Sequence, residues 1–290
     1  MSYQEISDEF WEIVEPLLER FKRRKPGGSK PLDFRTLLNG IFYLLKTGCQ
    51  WVFLPSCYGS KSTVHEHFQR WTNAGIFAEM FRLGAGKYEE LQGFKWDWQS
   101  MDGSLVQAPT RQSTGLSEEG VGRNPTDRGK SGSKIHLLVD QEGMPFGVAL
   151  AGANVHDSRL VTATVNGRAL PASETQVTDE KPHLCLDKAY DMKRVEIEVL
   201  SHGYTPHIRR IGEEKQQDAQ HNHPARRWVV ERTFAWLKGF RAIRTRYTFN
   251  RSSITTAINR AAQVSAAGQR GYCSAWPLGY IHCLALNARR

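Results

Sequence analysis

The apolar pattern of this chain changes period near residue 95, and that change sets the limits on its fold. Before it, apolar residues recur at helical spacing. Phe10, Val14, Leu17 and Phe21 form one stripe, ended by the basic, glycine-containing run Lys22-Arg23-Arg24-Lys25-Pro26-Gly27-Gly28. Phe34, Leu37, Leu38, Ile41, Leu44 and Leu45 form a second, with Gly48 where a helix C-cap belongs. Ser62 is placed to cap a third helix carrying Val64, Phe68 and Trp71, and Ile76, Phe77, Met80 and Phe81 mark a fourth. Residues 1–88 therefore read as an all-α domain whose short helices, tight turns and basic breaks suit a helix-turn-helix-like module. A plain helical bundle is the alternative.

After residue 95 the pattern alternates. Ser100 to Ala108 reads as a strand carrying an acid, and residues 109–133 as a long polar loop. Lys134–Asp140 and Phe146–Gly152 flank a turn and read as a hairpin. A short helix over 158–165, a buried strand over 183–187, a helix over 192–201, a strand over 205–209 and a helix over 226–238 complete the order. Strands alternating with helices in this way imply a mixed five-stranded α/β sheet flanked by helices, over about residues 95–250.

Composition narrows the setting. No apolar run approaches the roughly 18 residues of a membrane helix, and the first ten residues lack the pattern of a signal peptide. A cytoplasmic protein is expected. The five cysteines (Cys49, Cys57, Cys185, Cys273 and Cys283) include no closely spaced pair, so free thiols are expected in place of a zinc site or a disulfide framework. The formal charge of +9 is concentrated at one end: no Asp or Glu follows Glu231, while nine Arg and one Lys do. That asymmetry points to a polyanion, nucleic acid first, with a solvated basic tail as the plain alternative. Residues 251–290 contain no Asp, Glu or Lys and have weak periodicity, a break of the kind a frameshift leaves; they are expected to be poorly packed.

The acids carry the chemistry. Asp102 falls on the first strand of the sheet and Asp187 at the end of the fourth; neighbouring strands would bring both to one edge, where open α/β sheets bind ligands. Glu231 lies on the last helix, which can cross that sheet. Three hard oxygen donors meeting there suit Mg²⁺ or Mn²⁺, and two such ions can activate a water or a 3′-hydroxyl and stabilise a leaving oxygen. Arg227, Glu231 and Lys238 share one face of that helix, so cations flank the acid as phosphate contacts would; a simple surface ion pair is the alternative.

These residues resemble a family of bacterial insertion-sequence transposases of the DDE type. Arg227-x3-Glu231-x6-Lys238 is similar to its Tyr-Arg-Glu-Lys signature, Met101-Asp102-Gly103-Ser104 to the segment around its first aspartate, and Asp187-Lys188-Ala189-Tyr190-Asp191 to that around its second. Asn154-Val155-His156-Asp157 and the stretch from Leu38 through Thr47-Gly48-Cys49-Gln50-Trp51 match as well. The resemblance implies an RNase H-like core, a metal-binding catalytic triad of Asp102, Asp187 and Glu231, and Mg²⁺, with Mn²⁺ able to substitute. It implies DNA contacts from Arg227 and Lys238, to which the neighbouring Lys188, Arg241 and Arg244 are added. The implied partner is double-stranded DNA, as element terminal inverted repeats and target, bound by a homodimer or higher oligomer at the bacterial nucleoid.

The chain departs from the signature at the tyrosine position, which is Pro224, and Glu231 follows Asp187 by only 44 positions, too few for a β-rich insertion. A non-catalytic DNA-binding protein, a general RNase H-like nuclease and an inactive remnant are the rival readings. His156-Asp157 reads as a helix N-terminal turn with Asp157 as cap, in preference to support for a metal site. His207, His221 and His223 are spaced unlike zinc ligands and read as surface or phosphate-contacting residues.

Overall fold

A computed structural model describes residues 5–23, 31–109, 120–170, 181–208 and 228–246. Its described residues form two compact units, one built from residues up to Gly84 with Gly239–Ile243, the other from residues 85–238 and 244–246.

The first unit is helical, and its helix ends follow from local hydrogen bonding. Helix α1 (Asp8–Leu18) is capped by Ser7, α2 (Phe34–Thr47) by Asp33 and α3 (Lys61–Asn73) by Ser60, each accepting from a backbone N–H of the first turn. The cap of α3 is thus Ser60 and not Ser62: only Ser60 has the extended backbone that aims its oxygen at Thr63 N. Helix α2 ends at Gly48, whose φ of 65° is a left-handed C-cap with its N–H bonded to Leu44 O. Helix α4 (Ile76–Leu91) starts after a turn at Gly75 and runs on past Gly84. Phe10, Val14, Leu37, Leu38, Ile41, Phe68 and Trp71 are buried; in α1, Leu18 takes the buried place expected for Leu17. The end of the basic run, Arg24 to Gly28, lies outside the described residues.

The second unit is a mixed sheet of six strands: β1 (Trp98–Gln107), β2 (Gly122–Arg123), β3 (Ser131–Val139), β4 (Pro145–Gly152), β5 (His183–Leu186) and β6 (Thr205–Ile208). Among the longer strands the spatial order is β4-β3-β1-β5-β6, with β3 antiparallel to β1 and β4, β5 parallel to β1, and β6 parallel to β5. Three antiparallel strands joined on one side to two parallel ones, with helices between the later strands, is the expected RNase H-like arrangement. The expected loop over 109–133 holds a sixth strand, since Gly122 and Arg123 pair with Gly132 and Ser131 at the start of β3. Residues 110–119 within it lie outside the described residues.

The hairpin β3–β4 turns at Asp140, whose buried carboxylate accepts from the N–H groups of Lys95, Glu142 and Met144. That satisfaction is what allows an acid with no exposed surface inside the fold. Helices α5 (Val161–Asn166), α6 (Lys193–Ser201) and α7 (Trp228–Leu237), with the short α8 (Arg241–Arg244), complete the order. Among the described residues no helix is long and apolar enough to cross a membrane. The tail over 251–290 lies outside them.

Candidate active site on the central strands

The central pair of parallel strands places the first two acids. Trp98 pairs with His183, Gln99 with Leu184 and Ser100 with Cys185. Carried on by two residues, that register sets Asp102 level with Asp187. Strands in a sheet lie about 4.8 Å apart and alternate their side chains, so two residues level in this register share one face as neighbours. Strand β5 stops at Leu186, and Asp187 turns the chain: its extended backbone makes it the N-cap of the 3-10 turn Lys188–Tyr190, and its carboxylate accepts from Lys188 N at 2.5 Å. Asp102 stays within β1 and accepts from Gly103 N at 2.7 Å. Both acids are half-buried, so each keeps surface open to a ligand. Two carboxylates so placed are hard oxygen donors of the kind a divalent cation takes.

Glu231 is carried separately. Helix α7 packs on β1 and β3 through an apolar face of Val229, Val230, Phe234 and Leu237. Its start is pinned to the β3–β4 turn, where Thr233 Oγ1 donates to Gly143 O at 2.7 Å and Arg232 donates to Glu142 O. The Arg232 guanidinium also lies over the rings of Trp228 and Trp236, at 4.7 and 4.8 Å. Glu231 is exposed, one position round the helix from the buried Val230. Among the described residues no three of His, Cys, Asp and Glu are gathered for one metal ion. Asp102 and Asp187 are thus level when the β1–β5 register is carried on by two residues, and Glu231 is placed on the separate helix α7.

The expected DNA-contacting cations are spread along the same unit and beyond it. Arg227 lies outside the described residues. Lys188 is exposed on the turn after Asp187, and Arg244 is exposed with its Nε donating to Lys238 O at 3.3 Å. Lys238 is half-buried just past α7. Arg241 is exposed in the helical unit, its Cβ close against Gly48.

Behind Asp102 and Asp187 lies a network that periodicity could not reveal. His136 on β3 is opposite Gly103 on β1, so it stands on the other face of the sheet from Asp102. It is fully buried, with Nδ1 at 2.7 Å from Thr164 Oγ1 and Nε2 at 2.6 Å from Tyr190 OH. Thr164 spends its hydroxyl proton on Leu160 O, so it accepts from His136 Nδ1–H and Tyr190 donates to Nε2. Burial lowers the imidazole pKa to about 4; the nearby Asp157 carboxylate raises it and Lys134 lowers it further.

Asp157 also departs from expectation. His156, not Asp157, caps the turn, through Nδ1 accepting from Ser158 N. The Asp157 carboxylate points instead to Lys134 Nζ, at 3.1 Å, and lies so close to Gly103 that a Cβ there would overlap its Oδ1. Lys134 Nζ in turn donates to Val155 O at 2.7 Å. The motif Asn154-Val155-His156-Asp157 was the one available signal for this; its contacts are all long-range. His207 is exposed, its Nε2 at 2.7 Å from His183 Nδ1 beside the Trp98 ring; His221 and His223 lie outside the described residues.

Residues 88–262 match the family model described as "Transposase DDE domain", and the chain belongs to that family of DDE transposases. Residues 6–81 match the model for "Putative transposase of IS4/5 family". Among curated proteins, the "Putative transposase for insertion sequence element IS402" of Burkholderia cepacia is 35% identical over 132 residues, 44% of this chain and 59% of that protein. A second protein of the same element, "Insertion element IS402 uncharacterized 16.2 kDa protein", is 32% identical over 107 residues, 36% of this chain and 73% of its own length. The chain therefore spans less than two thirds of the first of these relatives. Solved structures with some likeness include a piggyBac transposase synaptic complex with hairpin DNA, at TM-score 0.43 and 10% identity over 91% of this chain and 74% of that one. A Mos1 mariner paired-end complex with Mn has TM-score 0.28 and 11% identity over 91% and 87%.

Proposed function

We propose that this chain is a DNA transposase that hydrolyses phosphodiesters at the ends of an insertion element and transfers the resulting 3′-hydroxyl to target DNA. The observation that supports the reading is the β1–β5 register, whose pairs run to Ser100 and Cys185 and which, continued by two residues, would set Asp102 level with Asp187. In this reading Asp102 and Asp187 hold Mg²⁺, or Mn²⁺ in its place, and Glu231 from α7 supplies the third carboxylate. Bound there, a pair of divalent ions lowers the pKa of the attacking water or hydroxyl and neutralises charge on the leaving oxygen. Attack on phosphorus forms one P–O bond and breaks another, releasing a 3′-hydroxyl; that hydroxyl then attacks a target phosphodiester in the same sense.

Lys188, Arg227, Lys238, Arg241 and Arg244 would neutralise backbone phosphates, and the helical domain over 1–88 would read the terminal inverted repeats. Both ends must be held together, so the working species is a homodimer or higher oligomer on double-stranded DNA, in the bacterial cytoplasm at the nucleoid. Cleavage of DNA carrying the cognate ends should need Mg²⁺ or Mn²⁺ and vanish in Asp102→Asn, Asp187→Asn and Glu231→Gln. Cleavage in EDTA, or by any one of the three variants, would refute the mechanism.

A further inference from the structure

The residues behind the two aspartates link the places where each leaves the sheet. Gly103 follows Asp102 directly, and the Asp157 carboxylate lies against the spot its Cβ would fill. Tyr190 ends the 3-10 turn that Asp187 caps, and its hydroxyl is held by His136. His136 sits opposite Gly103 across the β1–β3 pair, and the position Cβ of Gly103 would take is 3.3 Å from His136 Cδ2. Both aspartates are therefore backed by one cluster on the far side of the sheet from Asp102. Tyr190 has no exposed surface and Lys134 keeps 9% of its side chain exposed, while Asp157 keeps 25%. Each member except Gly103 is polar: His136 and Tyr190 are hydrogen-bonded to each other, Lys134 Nζ donates to Val155 O, and Asp157 Oδ1 has the ion pair with Lys134 but no hydrogen bond among the described residues.

Polar groups buried this deeply cost stability unless matched, and an apolar filling would pack the same space more simply. What an apolar filling cannot do is fix direction. The Tyr190–His136 hydrogen bond ties the Asp187 turn to β3, and the Asp157–Lys134 ion pair presses on β1 at the residue after Asp102. We propose that His136, Tyr190, Asp157 and Lys134 form a rear brace that sets the distance between the Asp102 and Asp187 carboxylates, making them positioning residues for the divalent cation. The inference rests on the reading of those two aspartates as its ligands. Outer groups that orient the groups holding a metal commonly change affinity 10–100-fold when lost.

The test uses the full chain and Mn²⁺ as the probe, with free ion followed by electron paramagnetic resonance. Tyr190→Phe keeps the ring and removes only the hydroxyl; Asp157→Asn keeps the shape and removes the charge. Either should weaken Mn²⁺ binding by roughly 10-fold or more, with binding of end DNA in EDTA at the wild-type level. Saturating Mn²⁺ should restore cleavage in both, which a folding defect would not allow. Wild-type Mn²⁺ affinity in both variants overturns the brace. So does a cleavage defect that saturating Mn²⁺ leaves in place. Asp102→Asn serves as the separate check on the reading beneath it: if that variant binds Mn²⁺ as wild type does, the ligand assignment fails, and the brace loses its purpose whatever Tyr190→Phe shows.

Discussion

A histidine held neutral inside the fold must make the catalytic unit sensitive to mild acid. His136 has an ordinary pKa of 6.5 in the unfolded chain and about 4 in the folded one, chiefly because burial disfavours the charged ring. Between those values the unfolded chain binds a proton that the folded chain refuses, so acid favours unfolding. Stability contributed by the neutral ring is intact above pH 6.5 and lost as pH falls towards 4. The slope approaches about 1.4 kcal/mol per pH unit inside that window. From pH 7 to pH 5 the two values give a loss of about 2 kcal/mol, or a fall in thermal midpoint of roughly 4–8 °C for a unit of this size. His136→Gln removes the titration and keeps a neutral side chain able to meet Thr164 or Tyr190. Thermal unfolding of both proteins across pH 7 to 5 isolates the term, because every other titrating group is common to the two. The wild type should lose about 2 kcal/mol more than the variant over that span. Parallel profiles would refute the argument and mean that the ring is protonated in the folded chain.

Three further outcomes are expected. Gly103→Ala drives a methyl group into Asp157 Oδ1 and should cost about 1–3 kcal/mol in a denaturant titration, so an unchanged midpoint would show that Asp157 moves aside freely. Lys134→Met strands the Asp157 carboxylate, with a loss approaching the roughly 3–5 kcal/mol of a broken buried pair; Lys134→Met with Asp157→Leu should recover most of it, and no recovery would mean that Lys134 acts mainly through Val155 O. Lys238→Ala should lower the slope of log affinity against log salt for end DNA by about one unit, and an unchanged slope would remove Lys238 from the phosphate contacts.

What could be read in advance depended on the range of the interaction. Gly48 as a C-cap and the hairpin around 141–144 are set by neighbours in sequence and stand where their local pattern puts them, and the strand expected to end at Asp187 ends one residue earlier, at Leu186. The neighbouring of the Asp102 and Asp187 strands was an inference from fold class, and their register came only from the sheet. The choice between Ser60 and Ser62 turned on one residue's backbone angles, which a list of hydroxyls does not contain. Asp157 was misassigned because a capping acid and an acid paired 23 positions back with Lys134 look alike in sequence. His136 carried no signal at all: it sits in a strand pattern as any half-polar residue would, and its partners Thr164 and Tyr190 lie 28 and 54 positions away.

The parallel pairing of β1 with β5 also has a consequence for the growing chain on the ribosome. β1 can find β3 soon after it emerges, because the β3–β4 hairpin follows closely. Its other neighbour arrives much later, since Ser100 meets Cys185 85 positions further on. Non-local parallel pairing of this kind is slow, as the closure of a long intervening stretch precedes any contact that rewards it. Until then β1 presents an open edge and a single carboxylate. A nascent or truncated chain that stops before β5 thus carries Asp102 without Asp187 and has an exposed strand edge, so it is expected to be prone to aggregate.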